Sequence, residues 1–256
     1  MVISSIITGF FFLYGLILGS FFNVVGLRMP NGESIVRPRS YCPHCHRTLA
    51  ARDLVPILSY MWNKGHCRYC GNPIPPGYSV MEFITGLLFA VTYQVFGLTP
   101  ETGMVLLFIS VLVIVTVSDL AYFLILDKIT FPAFFAILIL RFFIHPNESY
   151  ESHLIGAGLG FGIFYIIAMF ARGGFGLGDV KLFAVVGLFL GWPRLLVVIM
   201  LSTCLGTLFG LLMMVAGRAT EGRKTAIPFG PFIALGSVLA VFFGYDLIDW
   251  YWSLFW

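Results

Sequence analysis

Charge is what this chain has least of: Asp, Glu, Lys and Arg make up 11% of its 256 residues, against about 25% in a soluble globular domain. None of the four occurs in residues 1 to 27, 83 to 100, 102 to 118, 154 to 171, 195 to 217 or 225 to 245. That scarcity excludes a soluble domain. Long ten-residue stretches that are polar at every second position are also missing, which excludes an outer-membrane barrel. The first uncharged block has no basic leader region, runs well past the ~7–15 apolar residues of a signal sequence, and ends at Arg28; it is expected to stay as an uncleaved span. No internal repeat stands out. A G-x-G-x-x-G turn set between a strand and a helix is absent, so no Rossmann-type cofactor site is expected.

What is present is apolar: 59% of residues are hydrophobic and the mean hydropathy is +0.95. A helix rises ~1.5 Å per residue and must cross ~30 Å of hydrocarbon, so a span needs roughly 17–25 apolar residues. The expected fold class is therefore an all-α polytopic membrane protein with about eight transmembrane helices. They are placed near residues 3 to 26, 79 to 98, 103 to 121, 129 to 145, 153 to 171, 178 to 193, 195 to 217 and 227 to 247. The fourth and sixth are weak, each with only 12 uncharged residues in a row. They are expected to be short, tilted or bent, with Trp192-Pro193 marking an interfacial end of the sixth. Three parts follow: a first span at 1–27, a connector domain at 28–78 and a transmembrane bundle at 79–256.

The basic residues set the orientation. If the connector at 28–78 is cytoplasmic, Arg28, Arg37, Arg39, Arg47, Arg52, Lys64, Arg68, Lys128, Arg172, Lys181, Arg218, Arg223 and Lys224 all fall at or near that side, and only Arg141 and Arg194 fall outside. Thirteen against two satisfies the positive-inside rule, and the opposite orientation would invert it. The amino terminus is then outside, and the turn from Asn147 to Glu151 faces out. Membrane lipid is the expected surrounding partner; no nucleic-acid partner is expected.

The connector is too small to build a large core. It holds Cys42-Pro43-His44-Cys45 and Cys67-Arg68-Tyr69-Cys70, two C-x2-C turns separated by 21 residues. Four thiolates suit tetrahedral zinc, whose binding energy folds small domains that burial alone does not. Two disulfides are the competing reading, disfavoured in a reducing cytosol. Structural zinc on Cys42, Cys45, Cys67 and Cys70 is expected, with His44, His46 and His66 spare. Cys204, alone in a span, reads as a packing residue.

Two acidic residues stand at the edges of spans. Asp119 ends an uncharged run of 17 residues, and Asp179 follows Gly173-Gly174-Phe175-Gly176-Leu177-Gly178. Ionisable groups in or beside a span are costly and are candidates for function. A close pair of carboxyls shares protons unequally: one holds a proton while the other activates a water, which is aspartic-protease chemistry. On residue type alone, protons bound by a transporter and simple helix capping explain the two acids as well. Asp127, beside Lys128 and just before a helix start at Ile129, reads as an N-terminal cap. Glu82 admits the same reading, although it lies near the cysteine unit.

The motifs together resemble the bifunctional type IV prepilin peptidases, or prepilin leader peptidase/N-methyltransferases, a family of GxGD-type membrane aspartic proteases. The resemblance runs in order along nearly the whole chain: Gly19-Ser20-Phe21-Phe22-Asn23-Val24-Val25 with Arg28; the two cysteine pairs flanking Asp53-Leu54-Val55-Pro56 and Ser59-Tyr60; Asp119 in Ser118-Asp119-Leu120; Gly176-Leu177-Gly178-Asp179-Val180-Lys181-Leu182; and Pro228-Phe229-Gly230-Pro231. One departure is Ile125-Leu126-Asp127, where members often have Leu-Pro-Asp. The resemblance implies that Asp119 and Asp179 are the catalytic pair, with a protease core at about 103–250. It implies cleavage of the short basic leader of prepilins or pseudopilins at the cytoplasmic face of the bacterial inner membrane. It also implies N-methylation of the new amino terminus by S-adenosylmethionine, with residues 1–100 as the methyltransferase region. Two other readings compete: a proton-coupled transporter with a zinc-stapled cytoplasmic cap, and a zinc-ribbon assembly factor with no chemistry.

Overall fold

The computed structural model describes residues 2–146, 148–170, 176–216 and 227–254. The expectations that fell on Asn147, Arg172, Gly173, Gly174, Phe175, Arg218, Arg223 and Lys224 lie outside these residues. Among the described residues the secondary structure is helical, apart from two isolated β-bridges. The chain divides into two compact units, Met1–Thr102 and Gly103–Trp256.

In the first unit, α1 (Val2–Arg28) packs along α3 (Gly77–Phe96). Small residues let the two backbones meet. A Cβ on Gly15 would stand 2.8 Å from Gly86 Cα, and one on Gly19 3.0 Å from Glu82 Cα. Helices in lipid associate by such close packing, since apolar surface gains little by leaving one oily medium for another. Asn23, buried in the same face, donates from Nδ2 to the Tyr78 carbonyl at 3.0 Å. The connector between the helices carries a 3-10 turn at Ala51–Leu54 and the short α2 (Leu58–Trp62).

The second unit holds α4 (Pro100–Tyr122) from Gly103 on, α5 (Asp127–Phe143), α6 (Tyr150–Phe170), α7 (Leu177–Leu190), α8 (Trp192–Val215) and α9 (Gly230–Ser253). Helices stand at all eight expected places. Six of them, α1, α3, α4, α6, α8 and α9, are long and apolar enough to cross a membrane. The other two, α5 and α7, are 17 and 14 residues long, short as expected of the two weak runs. The sixth segment ends at Leu190, just before Trp192-Pro193. Gly191, at φ 82°, turns the chain there, and both residues open α8.

The shortness of α7 follows from its place as the core helix. It packs against α5, α6, α8 and α9, and every residue from Leu182 to Leu190 is buried. Glycines again set the contact: a Cβ on Gly156 or Gly160 of α6 would run into the Gly187 or Phe183 carbonyl of α7. Phe164 and Phe108 stack on Phe183 and Phe189 at 3.6 and 4.0 Å. The last carbonyls of α7, which have no helical partners, are taken by three neighbours. His153 Nδ1 meets the Leu188 oxygen at 3.0 Å, Arg141 Nε donates to Phe189 at 3.1 Å, and Arg194 Nε donates to Leu190 at 3.0 Å. The two arginines that stood apart in the charge count are therefore buried caps on a helix C-terminus, where cations are favoured.

Candidate active site and metal centre

The N-terminal ends of α7 and α9 frame the acidic pair. Asp119 lies in the last turn of α4, 5% exposed, and its Oδ2 accepts a 2.7 Å hydrogen bond from the backbone N–H of Gly230, the first residue of α9. Position 230 has no room for a side chain, because a Cβ would stand 2.8 Å from that oxygen and 3.2 Å from Asp119 Cγ. Asp179 sits in the first turn of α7, half-buried, and its carboxyl accepts from the Gly176 backbone at the N-cap. Asp119 and Asp179 lie within electrostatic range of each other. Two helix N-termini aimed at them offset part of their mutual repulsion.

The turn after α4 locks this arrangement. Phe123 takes φ 55° and donates its N–H to the Asp119 carbonyl at 2.9 Å, a left-handed helix ending made without glycine. Non-glycine residues pay for that conformation and cluster at functional sites. The chain then lays Ile125 against Gly178, where a Cβ would meet Ile125 Cβ at 2.8 Å. Leu126, the middle residue of the departure Ile125-Leu126-Asp127, takes φ −80° and ψ 124°, a backbone proline would also adopt. Asp127 is not the expected cap. The N-cap of α5 is Leu126, with no side-chain cap bond, and Asp127 instead grips Lys181 of α7 with both oxygens, at 2.7 and 2.8 Å. Lys181 Nζ also lies 5.3 Å from the centre of the Phe131 ring. A sequence reading has no signal for this pair, which joins positions 54 residues apart.

In the first unit the four connector cysteines converge. The sulfurs of Cys42, Cys45, Cys67 and Cys70 all lie within 4.8 Å of one another, none is in a disulfide, and Cys42 and Cys70 are 3.8 Å apart. A tetrahedral zinc with ~2.3 Å bonds to sulfur needs sulfur–sulfur edges of ~3.8 Å. The donor set and its spacing fit zinc. Each C-x2-C forms the same knuckle. Cys42 N–H donates to the Arg47 carbonyl and Cys67 N–H to that of Asn72, and the fourth residue beyond each first cysteine, His46 or Gly71, takes positive φ. Backbone donors, that of Cys45 first, hold the Cys42 thiol down to about 7. His46 stacks near Tyr41 and His66 Nδ1 meets the Lys64 carbonyl, so neither joins the cluster.

Asp53 braces the second knuckle: its carboxylate accepts from Ala50 N–H at 3.1 Å and from the Tyr69 hydroxyl at 3.0 Å, and pairs with Arg68 at 3.5 Å. Glu82 is not a helix cap. It lies inside α3, 8% exposed, where Oε2 accepts the Ile57 N–H at 2.9 Å and the Ser20 hydroxyl hydrogen-bonds the same carboxyl. Cys204, in α8, is exposed on the helix surface.

Fold and site define a multi-pass helical membrane protein with a carboxylate pair in one unit and a thiolate cluster in the other. Comparison with known proteins assigns both halves. Residues 13–96 match the Bacterial Peptidase A24 N-terminal domain, and residues 106–211 match the Type IV leader peptidase family. A prepilin leader peptidase/N-methyltransferase of Bacillus subtilis (strain 168) is 40% identical over 240 residues, covering 94% of this chain and 96% of the relative. Proteins of the same name from Myxococcus xanthus (strain DK1622) and Aeromonas hydrophila are 38% and 30% identical, covering 82% and 94% of this chain and 64% and 92% of the relatives. No solved structure matches. The chain belongs to the type IV leader peptidase family.

Proposed function

We propose that this chain cleaves the leader from type IV prepilins or pseudopilins and then methylates the amino group that the cut exposes. The observation that carries the reading is the meeting of Asp119 and Asp179 at the N-termini of α9 and α7, in a chain of this family. One aspartate, as carboxylate, takes a proton from water as its oxygen attacks the scissile carbonyl carbon. The other, protonated, donates to the carbonyl oxygen. Collapse of the tetrahedral intermediate breaks the C–N bond, and the amine leaves with a proton returned by the pair. Gly230 N–H holds Asp119 in place through this cycle, while Gly176, where a Cβ would stand 3.1 Å from Asp179 Oδ2, keeps a side chain away from that carboxyl.

Cys42, Cys45, Cys67 and Cys70 hold a structural zinc that staples the 28–78 domain, and S-adenosylmethionine supplies an electrophilic methyl group. The division of labour puts transfer in residues 1–100 and cleavage in about 103–250. The distribution of basic residues supports an inner-membrane protein with its amino terminus outside and its zinc domain in the cytoplasm. The substrate's basic leader is then met in the cytosol while its apolar segment remains in lipid. The test uses purified protein in detergent with a leader-bearing pilin peptide. Release of leader, lost on Asp119→Asn or Asp179→Asn, is expected; no cleavage by the unmutated protein refutes the reading.

A further inference from the structure

The connector of the first unit holds a run without charge, residues 54 to 63, set between Arg52-Asp53 and Lys64. It contains α2 and belongs neither to the aspartate pair nor to the cysteine cluster. Its large apolar side chains do not turn into a core. Leu54, Leu58, Met61 and Trp62 are all exposed, the last two at 64% and 68%. Leu58, Met61 and Trp62 stand at i, i+3 and i+4, which puts them on one face of α2. Large apolar groups left exposed together mark a surface that has a partner.

Glu82 sets the depth of this run. Its Oε2 accepts the Ile57 N–H at 2.9 Å, and the Ser20 hydroxyl of α1 hydrogen-bonds the same carboxyl. Helix α3 has 20 residues, which at ~1.5 Å each just cover the ~30 Å of hydrocarbon, so Gly77 stands at the edge and Glu82 ~7 Å inside it. A helical side chain leans back toward the N-terminus, which returns part of that depth and leaves Ile57 at the boundary of headgroups and acyl chains. The backbone there is satisfied as lipid demands. Pro56 has no N–H, Ile57 gives its own to Glu82, and Leu58, Ser59, Met61 and Asn63 donate to the carbonyls of Pro56, Val55, Ile57 and Ser59. Ile57 is held at φ 61° and ψ −51° while it makes its bond. That backbone is an outlier for a β-branched residue, and such strain persists where the surroundings over-determine it.

We propose that residues 54–63 are an interfacial anchor, a docking surface whose partner is the lipid leaflet on the connector's side. Leu58, Met61 and Trp62 enter the upper acyl region, Arg52 and Lys64 stay among the headgroups, and Glu82 fixes the depth by holding Ile57. Lipid is the occupant that position and charge favour. The run is bounded by α1 and α3, two spans of its own unit, which keep it at the bilayer surface. Residues 28–78 carry seven Lys or Arg against two acids, which complements an anionic phospholipid surface, and tryptophan is a side chain that settles at this boundary. The second cysteine knuckle begins at Cys67, five residues beyond Trp62. The anchor therefore seats the cysteine cluster against the membrane. The inference rests on α1 and α3 crossing the bilayer and on neither enzymatic activity.

Fluorescence of Trp62 tests the anchor in the full chain, reconstituted at one chain per nanodisc of phosphatidylethanolamine and phosphatidylglycerol. The Trp62 component is the difference between the unmutated chain and Trp62→Phe, with zinc content and thermal unfolding as checks on the fold. It is expected to emit to the blue of tryptophan in water, to be quenched by lipid brominated high on its acyl chains, and to be spared by acrylamide in the aqueous phase. Met61→Asp, which sets a charge on the same face, is expected to lose the lipid quenching and to gain quenching by acrylamide. Quenching of the Trp62 component by acrylamide and not by brominated lipid in the unmutated chain overturns the proposal, because the face is then in water. Protection from both quenchers overturns it as well, because protein then covers the face in place of lipid. If Met61→Asp fails the fold checks, the two quenchers applied to the unmutated chain decide.

Discussion

Gly230→Ala places one methyl group where the structure has none to spare. The new Cβ would stand 2.8 Å from Asp119 Oδ2 and 3.2 Å from its Cβ and Cγ, inside the 3.4–4 Å of ordinary van der Waals contact. The carboxyl cannot simply swing aside, because the N–H of the same residue 230 holds it at 2.7 Å. Relief therefore moves Asp119 or the start of α9 by more than half an ångström, and misplacing a reacting group by ~1 Å costs on the order of 10²-fold in rate. Overpacking also destabilises, by ~1–3 kcal/mol. The assay is kcat for leader release, read beside the thermal unfolding midpoint in the same detergent. Gly162→Ala is the control: nothing lies within 4 Å of its Cβ, and alanine in a helix interior is worth ~0.5–1 kcal/mol over glycine. A hundredfold fall in kcat for Gly230→Ala, with Gly162→Ala fully active, is expected. Wild-type kcat in a folded Gly230→Ala protein refutes the claim that Asp119 is positioned by α9.

Elemental analysis is expected to find about one zinc per chain, lost when Cys42 and Cys67 become serine, since hydroxyls do not replace soft thiolates; alkylation of the four cysteines only after reduction would instead reveal disulfides. Asp127→Asn is expected to keep most of the cleavage activity, because the Asp127 side chain is 54% exposed and such surface pairs contribute ~1 kcal/mol or less; complete loss would give Asp127 a role in the chemistry. Arg141→Met leaves the Phe189 carbonyl without its buried donor, which is expected to cost ~1–3 kcal/mol, seen as a lower unfolding midpoint in detergent. An impermeant thiol reagent applied to intact cells is expected to label a cysteine placed at Ser149 and not one at Ser34; the reverse pattern inverts the topology.

The sequence carried the parts of this protein that depend on local pattern. Uncharged runs located the helices, and two C-x2-C turns located the thiolate cluster, because a knuckle and its ligands lie within a few residues of one another. Asp119 and Asp179 stood out as candidates because a carboxyl at the edge of an apolar run needs a reason. The misses are contacts that no spacing encodes. Arg141 and Arg194 read as outliers to a topology rule, yet they satisfy carbonyls at the end of α7. Asp127 beside Lys128 looked like a local cap, while its partner is Lys181 on another helix. Glu82 looked like the start of a span and proved to be a buried tie between α1 and the connector. The 12-residue run at α7 registered as a weak span because a helix buried on all sides need not be as long as the bilayer is thick.

The central claim is that the two aspartates are one catalytic pair, and leader cleavage by Asp179→Asn and Asp119→Asn proteins tests it most directly. Amide for carboxyl is nearly isosteric, so insertion, zinc content and methylation of an already trimmed pilin peptide are expected to survive. Leader release from full-length prepilin is expected to fall by at least the 10²–10⁴-fold that general acid–base catalysis supplies. Substantial cleavage by either variant, in protein that still folds and holds zinc, contradicts the account.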